Sequence, residues 1–254
     1  MRRCGVSKWR LTNQIDNAML QIHHFPANEL AKQAAAGLHR LLQTALNRPR
    51  LLLLSGGSAF RLLPFLPVEI LDEQLTLGMI DERFATESTV NNFAQLVQLP
   101  FFEDVLASGC GLVDTRPQPG EQFAAFTSRY AGQLRDWHER HPQGEVIATL
   151  GMGPDGHTAG IFPFPDDPKI FQNYFEETDF VVGYDAAVNQ QHPLRSTVTL
   201  RYLRQRVMHT VVYIQGDEKR QAFGRLSAPH GTLSETPARI FHELPDVQLF
   251  TDLQ

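Results

Sequence analysis

Short apolar runs alternate with longer amphipathic segments along this chain, and each kind of segment predicts one kind of element. Residues 51–54 are four consecutive leucines, a pattern typical of a strand buried on both faces of a parallel sheet. Similar runs predict strands over residues 75–80, 146–150, 180–182, 197–200, 210–214 and 247–250. Helical spacing of apolar residues predicts one helix that is capped by Asn28 and ends near Leu46 or Asn47, a second over about residues 121–140 and a third from about Arg220. Strands that alternate with helices predict an α/β fold, with a doubly wound, mainly parallel sheet and helices on both faces.

The domain organisation follows from the even composition of the chain. No Gly/Ser-rich linker, repeat or low-complexity tract divides the 254 residues, of which 42% are hydrophobic and 20% charged, as in ordinary globular proteins. We therefore expect a single domain over residues 26–254, preceded by an N-terminal extension over residues 1–25 that is poorly ordered at its start. The extension lacks the apolar core of a signal peptide, and no apolar run approaches the ~20 residues that a membrane helix needs. We expect a cytoplasmic protein that does not bind membranes.

The charge and the cysteine content narrow the classes of partner. A formal net charge of −5 argues against a nucleic-acid surface, because such surfaces are usually basic. A small anionic ligand is still compatible with this charge, since a few arginine and lysine side chains can set the potential of a cleft. The two cysteines, Cys4 and Cys110, argue against a disulfide framework, and nothing near them resembles a metal-ligand cluster. We expect no metal site and no nucleic-acid partner.

The segment Gly151–Pro163 directly follows one predicted strand and combines glycines with titratable side chains. Its first seven residues contain three glycines, Asp155 and His157. Glycine tolerates positive φ, so the backbone of this loop can turn sharply and approach a ligand closely. Histidine titrates near neutral pH and can act as a general base. A lone histidine usually has no chemical role, so the prediction that His157 lies in an active site depends on the Gly-Pro-Asp-Gly sequence before it.

The same loop also satisfies the dinucleotide-binding pattern G-x-G-x-x-G at positions 151, 153 and 156. That pattern should open a long helix and should be followed, at the end of the next strand, by an acidic residue. Here prolines at positions 163, 165 and 168 stop any helix after about two turns. The acidic residues at 176, 177 and 179 precede the next predicted strand instead of following it. These features argue against a nicotinamide cofactor.

Polar and charged residues also lie beside other predicted strands. Ser55–Ser58 follows the leucine strand and precedes a segment that can start a helix, where backbone N–H groups bind anions, although an ordinary tight turn fits equally well. Asp81–Arg83 combines carboxylates with a guanidinium that can hold a phosphate, or forms a surface ion pair. Arg195 begins a strand and Lys219 begins a helix, and each alone is also compatible with a solvated charge. Because ligands bind beyond the carboxyl ends of strands in open α/β sheets, we expect these segments to converge.

Taken together, these segments resemble the 6-phosphogluconolactonase family, a relative of glucosamine-6-phosphate deaminases. The resemblance extends from about Leu51 to Phe250 and is carried by Ser55–Ser58, Asp81–Phe84, Asn92-Phe93, Gly151–Pro163, Arg195–Leu200 and Gly216–Lys219, in the family's order. The segment around His157 is highly specific, and the others are weak individually. The resemblance implies the Rossmann-like (NagB-like) fold of that family.

The resemblance implies hydrolysis of 6-phospho-D-glucono-1,5-lactone to 6-phosphogluconate, in the oxidative branch of the pentose phosphate pathway, without a metal or organic cofactor. We expect His157 to activate water, and either Asp81 or Asp155 to orient sugar hydroxyls or stabilise the charged imidazole. N–H groups near Gly153 and Gly156 are candidate oxyanion donors. The residues expected to bind the sugar phosphate are Gly56, Gly57, Ser58, Arg83, Asn92, Gly153, Gly156, Arg195 and Lys219. The expected partner is a sugar phosphate lactone, bound by a monomer or a small homo-oligomer.

Two other functions stay open. Amino-sugar phosphate isomerase/deaminases usually carry Asp-Glu-Tyr in place of Asp81–Arg83 and Asn-Glu-Pro in place of Ile161–Pro163. A non-catalytic sugar-phosphate sensor would normally carry a helix-turn-helix segment, which the first fifty residues do not provide convincingly, and would have little need for His157. The chain departs from the usual lactonase pattern at Ala59-Phe60, Ala85-Thr86, Asn91 and Gly160-Ile161. These departures remove no charged or titrating group and bear on loop rigidity and affinity instead.

Overall fold

The computed structural model describes residues 19–186 and 191–254, which form two sheets and their covering helices. The strands are β1 (Met19–His24), β2 (Arg50–Leu54), β3 (Leu75–Met79), β4 (Asp81–Arg83), β5 (Gly111–Val113), β6 (Glu145–Gly151), β7 (Val181–Asp185), β8 (Leu194–Val198), β9 (Val207–Ile214) and β10 (Asp246–Thr251). The α-helices are α1 (Ala27–Thr44), α2 (Asn92–Leu96), α3 (Pro100–Ala107), α4 (Phe123–Arg140), α5 (Pro168–Phe175), α6 (Leu200–Arg206) and α7 (Arg220–Ser227). Short 3₁₀ helices span Gly57–Phe65, Val68–Ile70, Asp217–Lys219 and Pro237–His242.

The larger sheet has seven strands in the order β1-β10-β9-β6-β2-β3-β5, and every neighbouring pair is parallel. This arrangement confirms the predicted α/β fold with a mainly parallel sheet. A second sheet, in the order β4-β8-β7, is antiparallel. The alternation of strands and helices predicted that the strands over residues 180–182 and 197–200 join the main sheet. They do not. They form a separate small layer with the segment that follows β3.

The four leucines of β2 explain why helices cover both faces of the main sheet. Successive side chains of a strand point to opposite faces. Leu51 and Leu53 pack in one cluster with Trp137 of α4, while Leu52 and Leu54 pack in the other cluster with α1. All four leucines are at most 1% exposed, so each face of the strand is covered. The hydrophobic cost of exposing either face keeps the sheet in the middle of a three-layer domain.

Two predicted boundaries at the start of the domain are wrong. The helix α1 begins at Ala27, after Pro26 in the capping position, so Asn28 lies inside the first turn and does not cap it; the helix ends at Thr44. Residues 19–24, assigned to the N-terminal extension, form β1 and pair with β10 along their whole length. Residues 1–18 lie outside the described residues, so the predicted disorder at the start of the extension stays a prediction.

The strand order places a crevice between the carboxyl ends of β2 and β6. From β2 the chain continues to β3 and β5 on one side, whereas β6 and the strands beyond it lie on the other side. The loops after two such neighbouring strands run in opposite directions. The space between these loops is a crevice in which a ligand can bind. Within residues 19–186 and 191–254, no helix is long and apolar enough to cross a membrane. No group of three or more His, Cys, Asp or Glu side chains in these ranges is placed to hold a metal ion.

Candidate active site

A cleft of about 200 Å³ opens at this crevice. Its lining residues are Ser55, Gly56, Ser58, Asp81, Arg83, Asn92, Gly151, Met152, Gly153, His157, Thr158, Ala159, Gly160, Arg195 and Lys219. They come from the segments after β2, β6 and β9, from the small sheet and from the start of α2, so the predicted convergence at the strand ends is observed. Among the predicted site residues, Gly57, Asp155 and Gly156 do not line the cleft.

The loop that follows β6 is folded tightly on itself. Gly156 has a φ of +92° and Gly160 a φ of +64°, conformations that suit glycine. The N–H of Gly153 donates to the carbonyl of His157 at 2.9 Å, and the N–H of Gly156 donates to the carbonyl of Gly153 at 3.0 Å. Both N–H groups are therefore occupied within the loop. This corrects the expectation that Gly153 and Gly156 offer free oxyanion donors.

Groups outside the loop hold it from the far side. Arg225 of α7 donates from Nη2 to the carbonyl of Asp155 at 2.9 Å. The N–H of Ala238, in the 3₁₀ helix Pro237–His242, donates to the carbonyl of Gly156 at 3.0 Å. At its start, the loop is closed by the Thr158 hydroxyl, which donates to the carbonyl of Gly151 at 2.7 Å. These bonds fix the backbone on both sides of His157.

The His157 imidazole is held by a carboxylate and by an aromatic ring. Its Nδ1 lies 2.6 Å from Oδ1 of Asp155, and the same oxygen accepts the N–H of His157 at 3.1 Å. The imidazole stacks on the ring of Phe162 with a centroid distance of 4.5 Å. A Cβ at position 153 would lie 2.1 Å from Cε1 of His157, so only glycine at that position admits the ring. No described residue forms a hydrogen bond with Nε2, which leaves that nitrogen for a ligand or water.

The two carboxylates that sequence reasoning left open have different surroundings. Burial raises the pKa of the Asp155 carboxyl, but the hydrogen bonds and charge of His157 outweigh this effect, and the net pKa is lowered. Asp81 lies elsewhere in the cleft, with Oδ2 at 3.9 Å from Nη1 of Arg195. A Cβ at position 160 would lie 2.6 Å from the same Oδ2, so Gly160 allows the loop to pack against Asp81. Asp155 is therefore the carboxylate that contacts the imidazole, and Asp81 is the one that faces a guanidinium.

Three cations line the cleft with few protein partners. The side chain of Arg195 is only 9% exposed, its Nε has no hydrogen-bond partner among residues 19–186 and 191–254, and it makes an ion pair with Asp81 at 3.9 Å. Burial lowers the pKa of Arg195, and the charge of Asp81 opposes this effect in part. Arg83 donates from Nη1 to the carbonyl of Val90 at 3.0 Å, and in the described part of the chain its Nε also has no hydrogen-bond partner. Burial likewise lowers the pKa of Lys219. Buried donors without partners are rare in native proteins, so these groups fit a site for an anion.

Asn92 packs against the glycine-rich turn after β2. Its Nδ2 donates to the carbonyl of Asp81 at 2.9 Å, while a Cβ at position 56 would lie 2.2 Å from its Oδ1. Gly56 is therefore needed for this close approach. Gly57 has a φ of +66° and turns the chain into the following 3₁₀ helix. Ser58, at the start of that helix, faces the cleft.

Glu82 supports the cleft in a way that sequence reasoning missed. Its carboxylate is fully buried and accepts hydrogen bonds from the N–H groups of Arg83, Asn92 and Phe93 and from the hydroxyl of Thr115, at 2.6–2.9 Å. Burial raises the pKa of the Glu82 carboxyl to about 8, and the hydrogen bonds oppose this effect. The carboxylate ties β4 to the start of α2. No local sequence signal could show this, because the donors come from segments up to 33 residues away.

Comparison with known proteins agrees with this architecture. The sequence profile of the family described as glucosamine-6-phosphate isomerases/6-phosphogluconolactonase matches residues 26–249. A 6-phosphogluconolactonase from Xylella fastidiosa is 30% identical over 216 residues, which cover 82% of this chain and 84% of that protein. Another from Mesorhizobium japonicum is 27% identical over 223 residues, which cover 85% of this chain and 89% of that protein.

Solved structures show the same fold. A 6-phosphogluconolactonase from Shewanella baltica superposes with a TM-score of 0.72 at 20% identity, over 92% of this chain and 97% of that one. A putative 6-phosphogluconolactonase from Neisseria gonorrhoeae gives a TM-score of 0.70 at 24% identity, over 92% of this chain and 99% of that one. At these identities the structures establish the fold alone, and the sequence matches establish the relationship. The chain belongs to the glucosamine-6-phosphate isomerase/6-phosphogluconolactonase family.

Proposed function

We propose that this protein hydrolyses 6-phospho-D-glucono-1,5-lactone to 6-phosphogluconate, and so catalyses the second step of the oxidative pentose phosphate pathway. The observation that carries the proposal is the Asp155–His157 pair at the edge of a cleft that also contains the guanidinium of Arg195, whose Nε has no hydrogen-bond partner among the described residues. The pair supplies a base, and the cations supply a site for a phosphate. The sequence relatives that cover most of this chain are named as enzymes of this activity.

The base in this proposal is Nε2 of neutral His157. The contact of Nδ1 with the Asp155 carboxylate favours the tautomer that carries its proton on Nδ1, which leaves a lone pair on Nε2. Nε2 takes a proton from a water molecule as that water attacks C1 of the lactone. The imidazolium then gives the proton to the ring oxygen as the C1–O bond breaks, and the Asp155 carboxylate stabilises the charged ring in between. The ring opens to a carboxylic acid, and the enzyme returns to its starting form.

The phosphate is assigned to the cationic side of the cleft. Arg83, Arg195 and Lys219 donate charge-assisted hydrogen bonds, and the turn at Gly56 and Ser58 contributes neutral donors. Binding of the phosphate away from the reacting carbon places C1 against the base, which turns remote binding energy into rate. The N–H groups of Gly153 and Gly156 are engaged within the loop, so the oxyanion of the tetrahedral intermediate needs a donor other than these two.

A coupled assay with freshly generated 6-phosphogluconolactone tests the proposal after the spontaneous hydrolysis has been subtracted. His157→Ala should lower kcat by about 10²–10⁴-fold, the range for loss of a general base. His230→Ala is the matched control, because His230 is exposed and lies outside the cleft. An unchanged catalysed rate in His157→Ala would exclude His157 as the base. Ammonia release from glucosamine 6-phosphate would support the deaminase alternative, and ligand binding without turnover would support the sensor.

A further inference from the structure

Phe162 lies between two functional groups of the cleft, although it does not line the cleft itself. It is 8% exposed, and its ring stacks on the His157 imidazole at 4.5 Å with an interplanar angle of 28°. The Cζ of Arg195 lies over the same ring, 5.1 Å from its centroid. One aromatic side chain therefore contacts both the candidate base and Arg195, the most deeply buried of the three cations that line the cleft.

The structure holds Phe162 firmly in this position. Its N–H donates to the hydroxyl of Tyr184 at 3.3 Å, and that hydroxyl donates in turn to the carbonyl of Gly160. Tyr184 on β7 pairs directly with Arg195 on β8. The residue that anchors the Phe162 backbone and the residue whose guanidinium packs on the Phe162 ring are thus cross-strand neighbours in the small sheet. This arrangement couples the aromatic ring to the cation.

The contacts of His157 and Arg195 with residues other than Phe162 do not fully fix the orientations of their side chains. The Nδ1 contact with Asp155 fixes one atom of the imidazole but allows the ring plane to tilt, and a stacked ring fixes that plane and the direction of the Nε2 lone pair. Arg195 has only the 3.9 Å contact with Asp81 as an ion pair. Packing of an aromatic ring against the flat face of a guanidinium leaves its in-plane N–H groups free to bind a phosphate.

We propose that Phe162 is a positioning residue that sets the plane of the His157 imidazole and holds the Arg195 guanidinium with its donors toward the ligand. This inference rests on the lactonase function proposed above. It predicts a defect with two components, because both groups lose their support when the ring is removed. The kcat should fall because the His157 imidazole loses its orientation. The preference for the phosphorylated substrate should fall because the Arg195 guanidinium loses its orientation.

The test compares Phe162→Leu with wild type on 6-phosphogluconolactone and on unphosphorylated glucono-1,5-lactone. We expect kcat on both substrates to fall by about 2- to 10-fold, the size of effect that loss of one aromatic pair produces. The ratio of kcat/KM for the phosphorylated over the unphosphorylated lactone should fall in addition. Phe162→Tyr retains the ring and should recover most of the activity. Phe101→Leu is the matched control, since Phe101 on α3 is buried to the same degree, at 7% exposed, and packs in the core cluster that contains neither Phe162 nor Tyr184.

An NMR measurement separates positioning from a general loss of structure. Protons over the face of an aromatic ring are shifted upfield, and the Cε1–H resonance of His157 can be assigned as the one missing in His157→Ala. It should move downfield in Phe162→Leu and stay in place in Phe101→Leu. Phe162→Met serves as the second variant where Phe162→Leu does not fold. A folded variant without the ring that keeps both the resonance and the kinetic constants would overturn the inference, while an inactive wild type would overturn the proposed function as well.

Discussion

Asp155→Asn tests the most specific feature of the site, the carboxylate that contacts the imidazole. Asparagine has nearly the same shape as aspartate, but it is neutral and carries an N–H donor in place of one carboxylate oxygen. The amide can therefore donate to Nδ1 of His157 and stabilise the tautomer that is protonated on Nε2, which cannot accept a proton from water. The substitution removes the charge that stabilises the imidazolium at the same time. Both effects lower kcat and leave the phosphate contacts unchanged.

The expected magnitude follows from the 2.6 Å contact between Nδ1 and Oδ1. A charge-assisted hydrogen bond contributes about 1.5–3 kcal/mol, which corresponds to about 10- to 150-fold in rate. The Asp155 side chain is 43% exposed, so solvent screens its charge, whereas the wrong tautomer adds to the loss. We expect kcat to fall by about 10²-fold with little change in KM. Because the pKa of the Asp155 carboxyl is lowered, it stays ionised from pH 5 upward and its own titration should not shape the profile of wild type there.

The assay is the coupled lactonase assay, with Asp81→Asn and Asp167→Asn measured alongside. Asp167 caps α5 by accepting the N–H of Ile170, and asparagine caps a helix equally well, so Asp167→Asn controls for a general effect of the substitution. Asp81→Asn should act mainly on substrate affinity, because Asp81 faces Arg195 and not the imidazole. A kcat within about 3-fold of wild type in Asp155→Asn, together with a large loss of kcat in Asp81→Asn, would refute the reasoning and reassign the supporting carboxylate.

Three further predictions address phosphate binding, loop geometry and pH-dependent stability. Lys219→Ala should raise KM for the phosphorylated lactone and change turnover of the unphosphorylated lactone little; equal losses on both would mark Lys219 as structural. Gly153→Ala should lower kcat, because the added Cβ would lie 2.1 Å from Cε1 of His157, whereas Gly132→Ala on α4, with open space around it, should leave kcat unchanged. Burial, together with the charge of Arg206, lowers the pKa of His138 to about 4, so between about pH 6.5 and 4 the unfolded chain binds the proton and the folded chain does not. Wild type should therefore lose about 1 kcal/mol of stability from pH 7 to pH 5 through this half-buried residue, and urea unfolding of His138→Gln should show a correspondingly smaller loss.

The local pattern of the chain was enough to predict five of the seven strands of the main sheet and the place of the cleft, whereas β1 and β5 were not predicted. Four consecutive leucines can be buried together only if both faces of their strand are covered, and the structure buries all four. Polar segments that follow parallel strands must emerge at one edge of the sheet, which is why Ser55, His157 and Lys219 line one cleft despite their separation along the chain. These inferences needed only the period of the side chains and the direction of the strands.

What the sequence could not show depends on contacts between distant segments. The three-residue strand β4 has too few residues for a periodic signal, so its antiparallel pairing with β8 was not predicted. That pairing nevertheless brings Arg83 opposite Arg195, and two guanidinium groups placed together in a cleft repel each other unless an anion lies between them. Burial is the main cause of the lowered pKa of Arg195, and the charge of Arg83 lowers that pKa further. In the proposed function, a phosphate would remove this repulsion and bind the Nε groups that have no partner among the described residues, and the small sheet would then be the part of the fold that makes the cleft selective for a phosphorylated lactone.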